Sequence, residues 1–342
     1  MCTRTISRSR CVSGLFLCLW MAATCPASQN KAGAKPTQHN KAAQQHKPEA
    51  PADDSKITLG EQESFSGPEE AAQALVGAVA ADDLPLLLVL FGSDGAEILT
   101  SGDSTQDKDE RAAFVAKARQ AMKVKEDPQD SNHSLILIGA DEYPFAVPLV
   151  ESDGQWRFDT PQGKQEMLAR RIGSNEIDAM NVCLAYVAAQ YKYASEDHAD
   201  SDGVREYAAK LISTEGKQDG LYWPDSAEGL PGSLADLVTG ALEAGYTGKG
   251  DEAVTYHGYN FRILSGQGPN APGGAQDYLV QDLMIGGFGL IAWPAEYGVS
   301  GVKTFVVNQE GIVYEKNLGA GTAVSAQAIK TFNPDKSWIA LR

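Results

Sequence analysis

Five cysteines stand at positions 2, 11, 18, 25 and 183. Four of them crowd into the first 25 residues, and only Cys183 lies where a folded core could form. A single thiol makes no intrachain disulfide. A fold built downstream of those four must therefore rest on buried apolar surface and not on covalent staples. The chain has 342 residues, enough for two domains at the usual ~100–200 residues each.

The cysteine-rich start reads as an export signal. "MCTRTISRSR" carries Arg4, Arg8 and Arg10 and no acid, and the apolar run "CVSGLFLCLWMAA" follows it. Small residues around Cys25-Pro26-Ala27 suit a cleavage site. This order of basic, apolar and small residues is that of a secretory signal over residues 1–27. The apolar run is short for a membrane span, and no later segment offers one of membrane length. The mature chain is expected to be periplasmic or extracellular, with no transmembrane segment. A lipoprotein anchored through Cys25 is the alternative. Residues 28–62 are rich in Gln, Lys, Ala and Pro, lack aromatics beyond the signal, and read as a disordered linker.

Charge narrows the partners. The chain holds 45 acids against 29 bases, a net charge of −16. A nucleic-acid surface needs clustered Lys and Arg, so that class is excluded.

The folded part divides by texture. In residues 63–165, "PEEAAQALVGAVA" has helical spacing, with Pro68 in the first turn and Glu69 and Glu70 at the positive end of the dipole. Pro85 opens a second helix, and "DKDERAAFVAKARQAMKV" a third. "HSLILIGADEYPFAVPLVESDGQWRFDTP" then reads as strands, with Ser152-Asp153-Gly154 as a hairpin turn. In residues 166–342, a long helix runs from about Gly173 to Ala194. Ile177, Met180, Leu184, Val187 and Tyr191 form one apolar face on it. An acidic loop follows, then a short helix in "VREYAAKLIS", a helix in "SLADLVTGALEAGY", and four strands: "TYHGYNFRIL", "DYLVQDLMIGGFGLIAWP", "VKTFVVNQ" and "GIVYEKNL". In the first strand His257, Tyr259, Phe261 and Ile263 fall on one face. The fold class is α+β in both domains.

Long stretches carry a family resemblance: "DGQWRFDTPQGKQEMLARRIGSNE", "DGLYWP", "YHGYNFRIL", "PGGAQDYLVQDLMIGGFGLIAWPAEYGVSGVKTFVVNQEGIVYEKNLG" and "FNPDKSW". From Phe65 to Trp338 the chain resembles a bacterial exported family known as domain of unknown function 2950. That resemblance implies export and no particular chemistry. The helices and meander before Pro161 look like the nuclear-transport-factor-2-like fold. The long helix, acidic loop and "TFVVNQEGIVY" look like the globular part of type IV pilins and pseudopilins.

Candidate chemistry is sparse. "HADSDGVREYA" has half of a calcium loop, with Asp197, Asp200, Asp202 and Glu206 as the candidate ligands. The closing bidentate acid is missing, since Ala209 stands in its place. The stretch reads as an Asx-turn first and a calcium site second. "GFGLIA" matches a dinucleotide pattern, but β-like residues and Trp293-Pro294 surround it. Its glycines are expected to serve close packing. Ser300 in "YGVSG" lacks the spacing of a nucleophile elbow. His133, His198 and His257 show no acid at a recognisable spacing, and Cys183 sits in an apolar helical pattern that predicts a buried thiol. The aromatics Tyr222, Trp223, Tyr256, Tyr259, Phe261, Trp293 and Tyr297 are expected in the core. The reading is an exported envelope protein that acts as a binding or structural module for an envelope protein or glycan, with calcium as its candidate stabilising ion. The alternative is an envelope hydrolase using acids near residues 197–206.

Overall fold

The computed structural model describes residues 62–99, 104–196, 204–223, 234–235, 238 and 253–341. They are α+β throughout and form two compact units, one ending at Glu166 and one beginning at Met167.

The first unit opens with α1 (Pro68–Ala80). Pro68 occupies its first turn, and the Glu70 carboxylate accepts from Ser66 N and Oγ. Those contacts hold the entry, where helix N–H groups otherwise lack partners. Asp82, at φ 52, breaks the helix, and Asp83 caps α2 (Leu84–Phe91) by accepting from Leu86 N at 3.0 Å. Two further helices are α3 (Ala96–Leu99) and α4 (Ser104–Gln120). An antiparallel sheet completes the unit: β1 (Met122–Asp127), β2 (Asp130–Ile138), β3 (Tyr143–Pro144), β4 (Leu149–Ser152) and β5 (Gln155–Phe158). Its order is β1-β2-β4-β5, with β3 also on β2. The expected hairpin is present, with Asp153 and Gly154 both at positive φ as a tight two-residue turn requires. The core gathers Leu75, Leu87, Leu90, Phe91, Ile136 and Phe158.

Sequence spacing placed residues 122–124 at the end of a helix, whereas Met122–Asp127 is a strand paired along β2. Its alternating outward lysines, Lys123 and Lys125, both reach Glu142. Met122 and Val124 alternate with those lysines and pack on the core, but two apolar positions are too few to override the helical spacing that runs up to them.

Helix α5 (Thr160–Ser195) starts well before Gly173. Asp159 accepts from Gln162 N at 3.0 Å and serves as its cap, and Pro161 follows in the first turn. Gly163 lies so near Val147 that an added Cβ would stand 2.6 Å from its Cγ2. That glycine marks close packing and not a helix end.

The second unit is built on a six-stranded antiparallel sheet. Its strands are β8 (Val254–Tyr256), β9 (Tyr259–Leu264), β14 (Gly289–Pro294), β15 (Lys303–Asn308), β16 (Tyr314–Asn317) and β18 (Ile339–Ala340), in the order β18-β16-β15-β14-β9-β8. The remaining strands form two pairs, β6 (Lys210–Ile212) with β7 (Gly220–Tyr222) and β12 (Leu279–Val280) with β13 (Leu283–Met284), and one three-stranded sheet, β11 (Gln276–Asp277), β10 (Gly266–Gln267) and β17 (Thr331–Phe332).

Both faces of the large sheet are covered. Val182, Cys183, Tyr186 and Ala189 of α5 share a core with Phe261, Leu290, Ala292, Phe305 and Val307. Leu264, Ile291, Trp293 and Val306 form a second core with Ala326 and Phe332. Every residue of β14 is buried, which explains its uninterrupted apolar run.

Three sequence expectations change here. "TYHGYNFRIL" is not one strand. It is the β8–β9 hairpin, turning at His257 (φ 43) and Gly258 (φ 71), so His257 leaves the face shared by Tyr259 and Phe261. "DYLVQDLMIGGFGLIAWP" is likewise broken, with Gln281 and Asp282 both at positive φ in the β12–β13 turn. "VREYAAKLIS" contains no helix. Tyr207 bridges to Met284, and Lys210–Ile212 is a strand. The buried Gln190 amide takes both the N–H and the carbonyl of Ala208, each at 2.8 Å. Those backbone groups are then no longer available to a helix. For "SLADLVTGALEAGY", Leu234, Ala235 and Val238 are helical, and the remaining positions lie outside the described residues.

Candidate functional site

Asp197, Asp200 and Asp202 lie outside the described residues. Glu206, the fourth candidate ligand, is half-buried and precedes the Tyr207–Met284 bridge. Among the described residues no group of three or more His, Cys, Asp or Glu side chains could hold a metal ion.

The histidines acquire acids that spacing does not show. His257 Nδ1 lies 2.7 Å from Asp178 Oδ2, across 79 residues of chain. A carboxylate oxygen accepts, so Nδ1 is the donor in this contact. Tyr256 stacks on the imidazole at 3.9 Å and 12°. Ser300 stands at the same corner, where a Cβ added to Gly258 would come within 2.7 Å of the Ser300 Cβ. Its hydroxyl, however, accepts from Glu296 N at 3.0 Å and donates to the Glu296 carbonyl at 3.1 Å. Asn175 donates to the Ser300 carbonyl, and Glu176 Oε1 accepts from Val302 N and Lys303 N at 3.0 Å each. The first turns of α5 within this unit thus clasp the 296–303 loop. Histidine, serine and acid meet here, but the serine proton is committed to its own loop. In the first unit His133 lies between Asp130 at 2.9 Å and Asp159 at 3.2 Å, tying β2 to the start of α5.

Cys183 is fully buried, and burial pushes its thiol up to about 12, so it is no thiolate near neutrality. The "GFGLIA" glycines pack closely, as expected. Gly287 has φ 139, and a Cβ there would meet Tyr278 Cε1 at 2.8 Å. Of the aromatics, Tyr259, Phe261 and Trp293 are buried, while Tyr222, Trp223, Tyr256 and Tyr297 are half-buried.

The more unusual feature is α5 itself. The apolar stripe read from spacing is not the one that carries the core. Val182, Cys183, Tyr186, Ala189 and Gln190 face the sheet. Ile177, Leu184 and Tyr191, seven residues apart, are 42%, 50% and 49% exposed. Asn181 and Ala188 are exposed between them, while Met180 and Val187 flank them half-buried. From Ile177 to Tyr191 no exposed position on this helix carries a charge. The helix is apolar on two faces, and burial against the sheet accounts for only one.

The outward face continues onto its neighbours. The turn at Gly311 lies beside Val187, and Ile312 next to it is 41% exposed. Tyr191 donates to the Gln309 carbonyl at 2.8 Å, and its ring meets Tyr207 and Phe288 edge-on. Beyond Tyr207, which bridges to Met284, the β12–β13 hairpin exposes Leu279, Val280 and Leu283. Lone exposed apolar residues are ordinary, but their recurrence at one-heptad spacing along a single helix face is not. Spacing alone identified the stripe; only the position of the sheet shows that it faces outward.

Among the described residues, no helix is long and apolar enough to cross a membrane. The sequence profile of the family described as "Protein of unknown function (DUF2950)" matches residues 62–341. No curated protein and no solved structure matches the chain.

Proposed function

The chain belongs to this family of unknown function, DUF2950, and from that premise we propose that it is an exported envelope protein that works as a binding or structural module. Its working surface is the outward face of α5. One observation carries the reading: Ile177, Leu184 and Tyr191 leave about half their surface open on an uncharged helical face, in a chain of net charge −16. Solvated helix faces are normally charged, and removing apolar area from water drives association. Leu and Ile at one-heptad spacing, with small Ala188 between turns, suit a partner helix or a flat apolar surface. The arginine-bearing start of the sequence supports export.

The test is a photo-crosslinking residue placed at Leu184 of the full-length chain in its own cells. A discrete adduct in the envelope fraction is expected. The same residue at Val324 is the control, because Val324 is 76% exposed but stands on a helix packed into the other core of the sheet. No adduct from Leu184, or the same adducts from both positions, would overturn the proposal.

A further inference from the structure

A groove of about 400 Å³ runs along the first unit, between the end of α1 and one strip of α4. The groove is shallow and open to solvent, with Val115 buried beneath exposed Ala80, Ala112 and Ala116. Val79, Ala80, Ala112, Val115 and Ala116 form its apolar wall and floor. The three alanines leave room that larger side chains would fill.

Three cations rim it: Lys108, Arg111 and Arg119. Arg111 is already engaged, with its Nε 2.8 Å from the Asp82 carboxylate at the end of α1. Lys108 and Arg119 make no ion pair among the described residues. They lie eleven residues apart on α4, roughly 16 Å along the helix axis. An engaged arginine thus sits between two open cations, with apolar floor in between. Such a strip is unexpected in a chain with 45 acids and 29 bases.

We propose that this groove binds an amphipathic anion, whose apolar body lies over Ala112, Val115 and Ala116 and whose head group meets Lys108 or Arg119. A simple inorganic anion does not fit the same logic. Exposed charge pairs in water are weak and screened by salt, and the net negative chain repels anions at long range. Binding must draw on the apolar floor as well as on the cations.

Decanoate, decylamine and inorganic phosphate, each titrated calorimetrically into the full chain, test this. Decanoate is expected to bind and the other two to bind at least about tenfold more weakly. Lys108→Glu/Arg119→Glu and, separately, Ala116→Trp should each weaken decanoate by about tenfold or more, while Val324→Glu, at an exposed position outside both proposed surfaces, leaves it unchanged. Both groove variants alter exposed positions, and circular dichroism verifies that each stays folded. Decanoate binding that survives both groove variants, equal binding of decylamine or phosphate, or loss of binding with Val324→Glu would each overturn the proposal.

Discussion

Asp219 shows how one carboxylate can set a local fold. Its Oδ2 takes the Lys210 ammonium and the Thr214 hydroxyl, and its Oδ1 takes Thr214 N, closing the loop between β6 and β7. Burial pushes this carboxyl up, but the Lys210 and Thr214 contacts outweigh that and hold it below its ordinary value of 3.8. A depressed folded value fixes the sign. The stabilisation is complete above the ordinary value and is lost as pH falls through the lower folded one. Asp219→Ala should therefore cost about 1–3 kcal/mol near neutrality, the usual range for losing hydrogen bonds to a charged group. The difference from the parent chain should shrink at strongly acidic pH. Urea unfolding at the two pH values measures it, and a difference that stays constant on acidification would show that the carboxylate is not the cause. The partners are local, Thr214 at the head of "TEGKQDG" and Lys210 four residues before it, but residues five and nine apart match no helical or strand period that would pair them.

At the scale of elements, α5 separates what was legible from what was not. Its existence, its long apolar stripe and the burial of Cys183 follow from helical spacing. Its first four turns escaped, although Asp159 and Pro161 are an ordinary start signal. Polar residues and Gly163 and Gly173 hid the periodicity there. Which stripe faces the sheet was beyond reach, since both carry apolar residues and only the partner decides. The His257–Asp178 pair was equally hidden, because acid and imidazole are joined by tertiary packing alone. The two faces of α5 should respond oppositely to substitution. Gln190→Leu would leave the Ala208 N–H and carbonyl without their partner in a buried setting. Each orphaned group costs about 1–3 kcal/mol, and exchange of the Ala208 amide should accelerate. Leu184→Glu, half-exposed, should change stability by no more than about 0.5 kcal/mol, as surface substitutions usually do. Hydrogen exchange with denaturant unfolding checks both; equal destabilisation by the two would mean that α5 has no free face.

For the whole molecule, the lone thiol of the folded part returns as a thermodynamic statement. With Cys183 unpaired and buried, stability comes from apolar cores, and each unit has its own. Leu75, Leu87 and Phe158 share no core with Tyr186, Phe288 and Phe305. Cores of this kind unfold as separate cooperative blocks unless something couples them. Calorimetry of the full chain should show two transitions. Leu75→Ala should lower one of them by about 2–5 kcal/mol and Phe288→Ala the other by about 3–5 kcal/mol, the ranges found for such truncations in packed cores. Additivity of the pair should hold, since distant sites that share no partners rarely couple. A single transition that moves with either substitution would instead make α5, which runs from Thr160 in the first unit to Ser195 in the second, a coupler that fuses two cores into one cooperative fold.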